Sequence, residues 1–244
     1  MTRLYGVGAG PGAPDLLTLR AIKVLREVDV LALPRSNDWG ESVAWSIVQP
    51  ALLESQAEKL FLTFPMNKDP ERLRPALNKA MDAIGERLAA GKSVAFVTEG
   101  DPSLYSTFVY VAAEARRRWP TLEIEVVPAV SSPMAVAAVT GVPLADGQER
   151  IAIVPANYGV ADLDTLLRMF DTVVLMKIGP EMPAIIAALE RAGLLGRAIY
   201  VAKATMKEQR VVRDLREVGG ERGDCFAMVI VAKKERNGVL MGVA

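Results

Sequence analysis

The sequence contains no histidine and a single cysteine, Cys225, among its 244 residues. Without histidine the chain has no Ser-His-Asp or Cys-His catalytic group, no histidine-containing metal site and no histidine as a general base. One cysteine excludes an intrachain disulfide and a cysteine-rich zinc site. The sequence therefore predicts no metal site and argues against most hydrolase mechanisms.

Net charge and long hydrophobic runs are also missing. The chain has 29 basic and 29 acidic residues, and its pI is near 6.4. Because broad nucleic-acid binding needs a basic surface, we expect no nucleic-acid partner. No run approaches the roughly 18 apolar residues of a membrane span, and the N-terminal segment lacks the apolar region of a signal peptide. We therefore expect no membrane association and a cytoplasmic location.

The residues that are present predict an α/β protein. Hydrophobic residues make up 51% of the chain and aromatic residues only 6%, so the core is expected to be aliphatic. Short β-rich runs alternate with longer helical patterns, which predicts two α/β domains, 1–120 and 121–244. Residues 209–214 and 226–233 are β-like and flank a turn-rich segment. They predict an antiparallel pair that closes a mixed sheet in the second domain.

A glycine-rich segment, GVGAGPGAPDLLTLRA at residues 6–21, follows the first predicted strand. It does not match the dinucleotide fingerprint GxGxxG, because Pro11 or Ala13 stands where the third glycine is required. Pro11 and Pro14 also lack the N–H group that a phosphate cradle uses. Two interpretations remain: a turn without a ligand, or a ligand that approaches bare backbone. Because glycine has no side chain, the many glycines leave the backbone accessible, which favours the second interpretation.

A second segment, TEGDPSLYSTF at residues 98–108, joins a buried strand to a helix. Ligands of open α/β sheets bind at the carboxyl ends of the strands. The carboxylate of Asp101, beside Gly100, can accept hydrogen bonds from ribose hydroxyls or from an amino group. Alternatively, Asp101 forms an Asx-turn and caps the helix that follows. The residues by themselves leave both interpretations open.

A third strand–turn–helix segment, VPAVSSPMA, occupies residues 127–135. Ser131 or Ser132 is typical of a helix N-cap. Because the segment follows another strand end, it is also placed to form a second wall of a pocket.

In this order, the three segments resemble the tetrapyrrole methylase family, whose members use S-adenosylmethionine to methylate corrinoid and sirohaem precursors. GVGAGPGAPDLLTLRA is similar to the first signature of the family, and EGDPSLYSTF to its central Gly-Asp-Pro element. PAVSS lies where the family has a glycine-containing turn, with Ala129 in place of the glycine. The resemblance covers essentially the whole chain.

The resemblance implies two α/β domains, S-adenosylmethionine in the cleft between them, and a homodimer. Several of the family's cofactor contacts are made by main-chain atoms, which suits a loop built from glycine and proline. By position, the implied cofactor contacts are Pro11, Glu99, Gly100, Asp101, Leu104, Ser131, Ser132, Met176, Ala204 and Ala227.

Residues 32–36, 99–111 and 173–179 are similar to the branch of the family that methylates C-20 of precorrin-2 or its cobalt form. Such a substrate carries many carboxylates, and Arg35, Ser36 and Lys177 are the expected substrate contacts. After methyl transfer a proton leaves the acceptor carbon. Glu99, Asp101 and Tyr105 are the candidate proton acceptors, and the sequence does not choose among them.

Two alternatives are less favoured. The first keeps the family and changes the acceptor to uroporphyrinogen III, another precorrin, or the diphthamide precursor on a protein. The second is a nicotinamide-binding oxidoreductase or a non-catalytic nucleotide-binding module, against which the failed GxGxxG spacing argues.

Overall fold

The structure, a computed structural model, describes residues 2–65, 69–156, 161–219 and 226–234. Cys225 lies outside them. The chain divides into two compact α/β units, Met1–Ser132 and Pro133–Ala244. No helix of the described segments is both long and apolar enough to cross a membrane.

The first unit is a five-stranded parallel sheet with helices on both faces. The strand order is β3-β2-β4-β1-β5. Its elements are β1 (Arg3–Gly8), α1 (Leu19–Glu27), β2 (Val30–Arg35), α2 (Val43–Val48), β3 (Glu58–Thr63), α3 (Pro70–Ala89), β4 (Val94–Thr98), α4 (Phe108–Arg118) and β5 (Glu123–Val127).

Local sequence explains several of these boundaries. The five residues of β4 are all buried, as expected of a central parallel strand. Thr18 is the N-cap of α1, and its hydroxyl accepts a hydrogen bond from Ala21 N at 3.1 Å. Gly91, with φ +80°, ends α3 in a Schellman motif in which Lys92 N donates to Arg87 O at 3.0 Å.

The sheet has a topological switch point between its neighbouring strands β1 and β4. The chain leaves β1 toward β2 on one side of the sheet and leaves β4 toward β5 on the other. Accordingly, α1 and α2 pack on one face, and α3 and α4 pack on the opposite face. Ligands of open α/β sheets bind outside the strand ends at such a point.

The second unit contains a five-stranded mixed sheet of order β6-β7-β10-β8-β9. β6 and β7 are parallel, whereas β10 runs antiparallel to both β7 and β8. β9 is antiparallel to β8. The elements are α5 (Ser132–Thr140), β6 (Ile151–Pro155), α6 (Leu163–Met169), β7 (Thr172–Met176), α7 (Met182–Arg191), β8 (Ala198–Ala202), β9 (Arg210–Val212) and β10 (Ala227–Ala232).

The α/β class and the mixed second sheet are confirmed, and three details differ from the sequence-based expectation. The first unit ends at Ser132 rather than near residue 120, because β5 pairs with β1 and completes the first sheet. β9 and β10 are not partners of each other. The apolar β10 is nearly all buried and lies between β7 and β8, whereas the short β9 lies at the edge. The edge strand β3 was not anticipated.

Candidate functional site

The loops that follow β1 and β4 are joined by their backbones at the switch point. Gly100 N donates to Gly10 O at 2.8 Å, and Gly10 N donates to Gly100 O at 3.3 Å. Ala9 N also donates to Thr98 O at 2.8 Å. Backbone hydrogen bonds therefore hold the glycine-rich segment against the Gly-Asp-Pro segment.

Two glycines of the first segment are explained by packing within the protein. A Cβ on Gly6 would collide with the ring of Phe108, which packs against that strand from α4. A Cβ on Gly8 would lie 2.5 Å from Ala129 Cβ and 2.7 Å from Gly100 O. Part of the glycine content is thus required by close approach of protein atoms, without any ligand.

Gly100 differs from those two glycines, because the space beside it is open. Its φ of +64° favours glycine, and among the described residues a Cβ added at this position would have only Ser132 N within 4 Å, at 3.9 Å. A ligand can therefore approach bare backbone here. This open backbone position fits a cofactor held largely by main-chain atoms.

Asp101 ties the loop after β4 to the loop after β5. Its Oδ1 accepts hydrogen bonds from Ser103 N, at 2.9 Å, and from Ser103 Oγ. Its Oδ2 accepts from Ala129 N at 2.9 Å. The Asx-turn, one of the two interpretations that the residues left open, is therefore present, but Asp101 does not cap α4. That helix begins at Phe108, whose backbone N–H donates to Ser106 Oγ at 3.1 Å.

These contacts set the ionisation of Asp101. Partial burial raises the pKa of its carboxyl, but the hydrogen bonds from Ser103 Oγ, Ala129 N and Ser103 N together outweigh that effect. The pKa of Asp101 therefore lies below its ordinary value, and the side chain is a fixed anion. A carboxylate with three donors and a lowered pKa is a poor proton acceptor.

The pKa of the Glu99 carboxyl is shifted in the opposite direction from that of Asp101. Burial raises the pKa of its carboxyl, even though its own backbone N–H and that of Ala44 donate to it. The bond from Ala44 N to Oε1 measures 3.1 Å and links the end of β4 to α2. Among the described residues, no cation forms an ion pair with Glu99. Of the three candidate proton acceptors, Glu99 has the environment that best suits a base.

The third candidate, Tyr105, is 44% exposed and has a φ of +52°. Leu104 lies one residue earlier, in a turn in which its N–H donates to Asp101 O at 3.3 Å. Pro11 is buried in the loop after β1. Ser131 and Ser132 follow β5, and Ser132 begins α5. The implied cofactor contacts of the first unit therefore lie in the loops that follow β1, β4 and β5.

Ala129, which stands where the family has a glycine, does not have left-handed backbone. Its φ is not among the positive values found in the described part of the chain. Its methyl group instead faces Gly8, where a second Cβ would not fit.

The implied contacts of the second unit also meet at one edge of a sheet. Met176 ends β7 and pairs with Met228, and Ala227 begins β10 and pairs with Ala202. Ala204 follows β8 closely and is 5% exposed. The carboxyl ends of β7 and β8 therefore lie together with the start of β10, within this unit.

Strained backbone is concentrated in loops that follow strands. Four described non-glycine residues have positive φ: Tyr105 after β4, Lys177 after β7, and Lys203 and Thr205 after β8, at +50° to +67°. This conformation costs roughly 1–2 kcal/mol for an L-residue and is often found at functional sites. Sequence reasoning missed Lys203 and Thr205, since neither residue type signals a left-handed conformation.

The expected substrate contacts are partly engaged within the protein. Arg35 ends β2, and its Nη2 lies 3.6 Å from Asp38 Oδ1. Its guanidinium carbon is also 5.5 Å from the centroid of the Phe61 ring. Ser36 is exposed beside it in the first unit, whereas Lys177 is exposed in the second unit. Within the segments described, no group of three or more acidic or thiol side chains could hold a metal ion.

Comparisons with known proteins agree with this architecture. The family model described as Tetrapyrrole (Corrin/Porphyrin) Methylases matches residues 3–218. A cobalt-precorrin-2 C(20)-methyltransferase from Salmonella typhimurium is 34% identical over 234 residues, which cover 96% of this chain and 97% of that protein. A precorrin-2 C(20)-methyltransferase from Sinorhizobium sp is 32% identical over 241 residues, covering 94% of each chain.

A solved structure shows the same fold. The uroporphyrin-III C-methyl transferase from Thermus thermophilus, complexed with S-adenyl homocysteine, is 26% identical and has a TM-score of 0.69. The match covers 95% of this chain and 97% of that one. These matches confirm the resemblance that the three loop segments predicted: the chain belongs to the tetrapyrrole methylase family.

Proposed function

We propose that the protein transfers the methyl group of S-adenosylmethionine to C-20 of precorrin-2 or of its cobalt form, in cobalamin biosynthesis. The observation that carries the choice of acceptor is the similarity, over nearly the whole chain, to C(20)-methyltransferases from two organisms at 32–34% identity. The segments that suggested this branch, residues 32–36, 99–111 and 173–179, include the ends of β2 and β7 and the loop after β4, and ligands of open α/β sheets bind outside strand ends.

Bare backbone in the first unit supports S-adenosylmethionine as the cofactor. The backbone at Gly100 is open to a ligand. The loops around it are held together by the backbone hydrogen bonds between Gly10 and Gly100 and by the bond from Ala129 N to Asp101. In this proposal the loops that contain Pro11, Leu104, Ser131 and Ser132 hold the cofactor. The family resemblance also implies cofactor contacts at Met176, Ala204 and Ala227, which lie at one sheet edge of the second unit.

A chain without histidine suits this chemistry. S-adenosylmethionine supplies an electrophilic methyl group when bound, so no side-chain nucleophile is needed. The protein contributes alignment and exclusion of water, and alignment by itself is worth an effective molarity of roughly 10⁵ M or more. Asp101, as a fixed anion with three donors, orients the loops.

Glu99 is the group we assign to receive the proton that leaves the acceptor carbon. Its desolvated carboxyl has a raised pKa and no cationic partner among the described residues. Arg35, Ser36 and Lys177 are assigned to the carboxylates of the substrate. Arg35 can exchange its contact with Asp38, a long and partly exposed ion pair, for a substrate carboxylate.

The test uses the purified protein with labelled S-adenosylmethionine and, in separate reactions, precorrin-2, cobalt-precorrin-2 and uroporphyrinogen III. We expect methyl transfer to the first or second acceptor and an NMR signal at C-20. Calorimetry should show binding of S-adenosylhomocysteine. Product from uroporphyrinogen III alone would reassign the acceptor, and no binding at high micromolar concentration would reject the cofactor.

We also propose that the protein is a cytoplasmic homodimer. Exposed apolar residues support a second copy as partner: Val109 and Tyr110 on α4 are 49% and 63% exposed, and Val126 on the edge strand β5 is 45% exposed. Size-exclusion chromatography with light scattering tests the dimer, and a monomer across micromolar concentrations would exclude it. Cell fractionation tests the location.

A further inference from the structure

A strained turn follows β8 in the second unit and surrounds one of the implied cofactor contacts. Lys203 and Thr205 have φ values of +50° and +67°. Between them, Ala204 is buried and belongs to a cluster with Met176 and Met228. Left-handed backbone is unfavourable for both lysine and threonine. Something outside the turn must therefore stabilise this conformation.

Gln209 supplies that stabilisation. Its side-chain Oε1 accepts a hydrogen bond from Thr205 N at 2.7 Å. Within the turn, Met206 N donates to Lys203 O at 2.9 Å, and just after it Gln209 N donates to Met206 O at 3.1 Å. A donor at Thr205 that points out of the turn is thus satisfied by a side chain four residues later.

The position of Gln209 is itself fixed by the sheet. It directly precedes β9, and Arg210, the next residue, pairs with Ala202 on β8. On the other side of the turn, Lys203 N donates to Phe226 O at 3.1 Å. The strained turn is therefore held from β9 by a side chain and from the start of β10 by the backbone.

We propose that Gln209 is a positioning residue for cofactor binding. Its amide oxygen accepts from Thr205 N and holds the turn at 203–206 with Lys203 and Thr205 in the left-handed conformation, so that the backbone around Ala204 is arranged before the cofactor arrives. This inference rests on the proposed function. It adds a residue that the sequence did not single out and that acts through the backbone of Thr205.

Substitution of Gln209 separates this role from simple stability. Gln209→Leu removes the acceptor oxygen, and we expect it to weaken S-adenosylhomocysteine binding about tenfold, a change of about 1.4 kcal/mol. Gln209→Glu keeps an oxygen at the same reach and should bind within about twofold of the unchanged protein. Gln148→Leu makes the same replacement at an exposed glutamine before β6 and should leave binding unchanged.

A double-mutant cycle tests the mechanism. Thr205→Gly removes the cost of the positive φ, so Gln209→Leu should weaken binding at most about twofold in that background. In the methyl-transfer assay Gln209→Leu should raise the KM for S-adenosylmethionine and leave kcat nearly unchanged. Thermal unfolding confirms that each variant is folded.

The outcomes distinguish this inference from the proposed function. If the unchanged protein does not bind S-adenosylhomocysteine, both the proposed function and this inference are rejected. If it binds, and Gln209→Leu binds equally well or loses as much affinity beside Thr205→Gly as alone, only the positioning role is overturned.

Discussion

Asp101 Oδ2 accepts a hydrogen bond from the backbone nitrogen of Ala129 at 2.9 Å, across 28 positions of sequence. This bond joins the loop after β4 to the loop after β5, while Gly100 joins the loop after β4 to the loop after β1. Three loops at the carboxyl edge of one sheet are thereby held together around a short Gly-Asp pair. The carboxylate has a structural role here that does not depend on a ligand.

The first prediction concerns Asp101→Asn. One oxygen acceptor becomes an amide donor, so either Ala129 N or the Ser103 donors lose a partner, at a cost of about 1–3 kcal/mol of unfolding free energy. We also expect weaker binding of S-adenosylhomocysteine. Urea unfolding and calorimetry measure the two effects.

Ser103→Ala is the matched control for Asp101→Asn. It removes the hydroxyl donor and keeps the bond between Asp101 and Ala129, so it should cost only about 0.5–1.5 kcal/mol. If Asp101→Asn were no more harmful than Ser103→Ala, the bond to Ala129 would have no importance for the site.

The second prediction concerns Glu99→Gln, which should make the protein slower and more stable. The pKa of the Glu99 carboxyl is raised in the folded state, so its negative charge destabilises the fold when the pH is above that pKa. The destabilisation disappears when the pH falls below the pKa of the same carboxyl in the unfolded chain. Removing the charge should therefore stabilise the fold at pH 8 and have no such effect at pH 4. If Glu99 receives the proton, kcat should fall by about 10²-fold or more.

The pH profile completes this test. Activity of the unchanged protein should decline as the pH falls through the raised pKa of Glu99, and Glu99→Gln should lack that decline. Glu41→Gln, an exposed acid just before α2, is the control and should alter neither stability nor rate. An unchanged kcat in Glu99→Gln would exclude Glu99 as the proton acceptor.

The third prediction contrasts two glycines of the predicted motifs. Gly6→Ala places a methyl group against the Phe108 ring and should cost about 1–3 kcal/mol of stability, with affinity for S-adenosylhomocysteine nearly retained. Gly100→Ala meets open space, so its stability cost is limited to about 1–2 kcal/mol of backbone strain. Gly100→Ala should nevertheless abolish most of the binding of S-adenosylhomocysteine.

Phe108→Leu provides the control for the packing argument, because a smaller side chain should relieve part of the cost of Gly6→Ala. The interpretation would be contradicted if Gly6→Ala destroyed binding in a folded protein, or if Gly100→Ala bound S-adenosylhomocysteine normally.

The amino-acid sequence by itself determined the α/β class, most of the helices and strands, and the family. The class and the elements follow from local patterns: the apolar face of α1 at Ala21, Val24 and Leu25, the continuous apolar run of β4, and Gly91 after α3. The family was indicated by the resemblance of the three loop segments. The sequence also showed that histidine is absent and that the glycine-rich segment does not match the GxGxxG fingerprint. Such signals depend on residues a few positions apart, where periodicity and capping act.

The tertiary structure decided what depends on distant partners. It placed β10 between β7 and β8, assigned β5 to the first sheet, and showed that Gly6 and Gly8 make room for protein atoms. It also showed that Asp101 bonds to Ala129 and that Gln209 supports Thr205 in a strained turn. Strand order and loop contacts are set by which surfaces are buried together, and no local pattern of side chains encodes that choice.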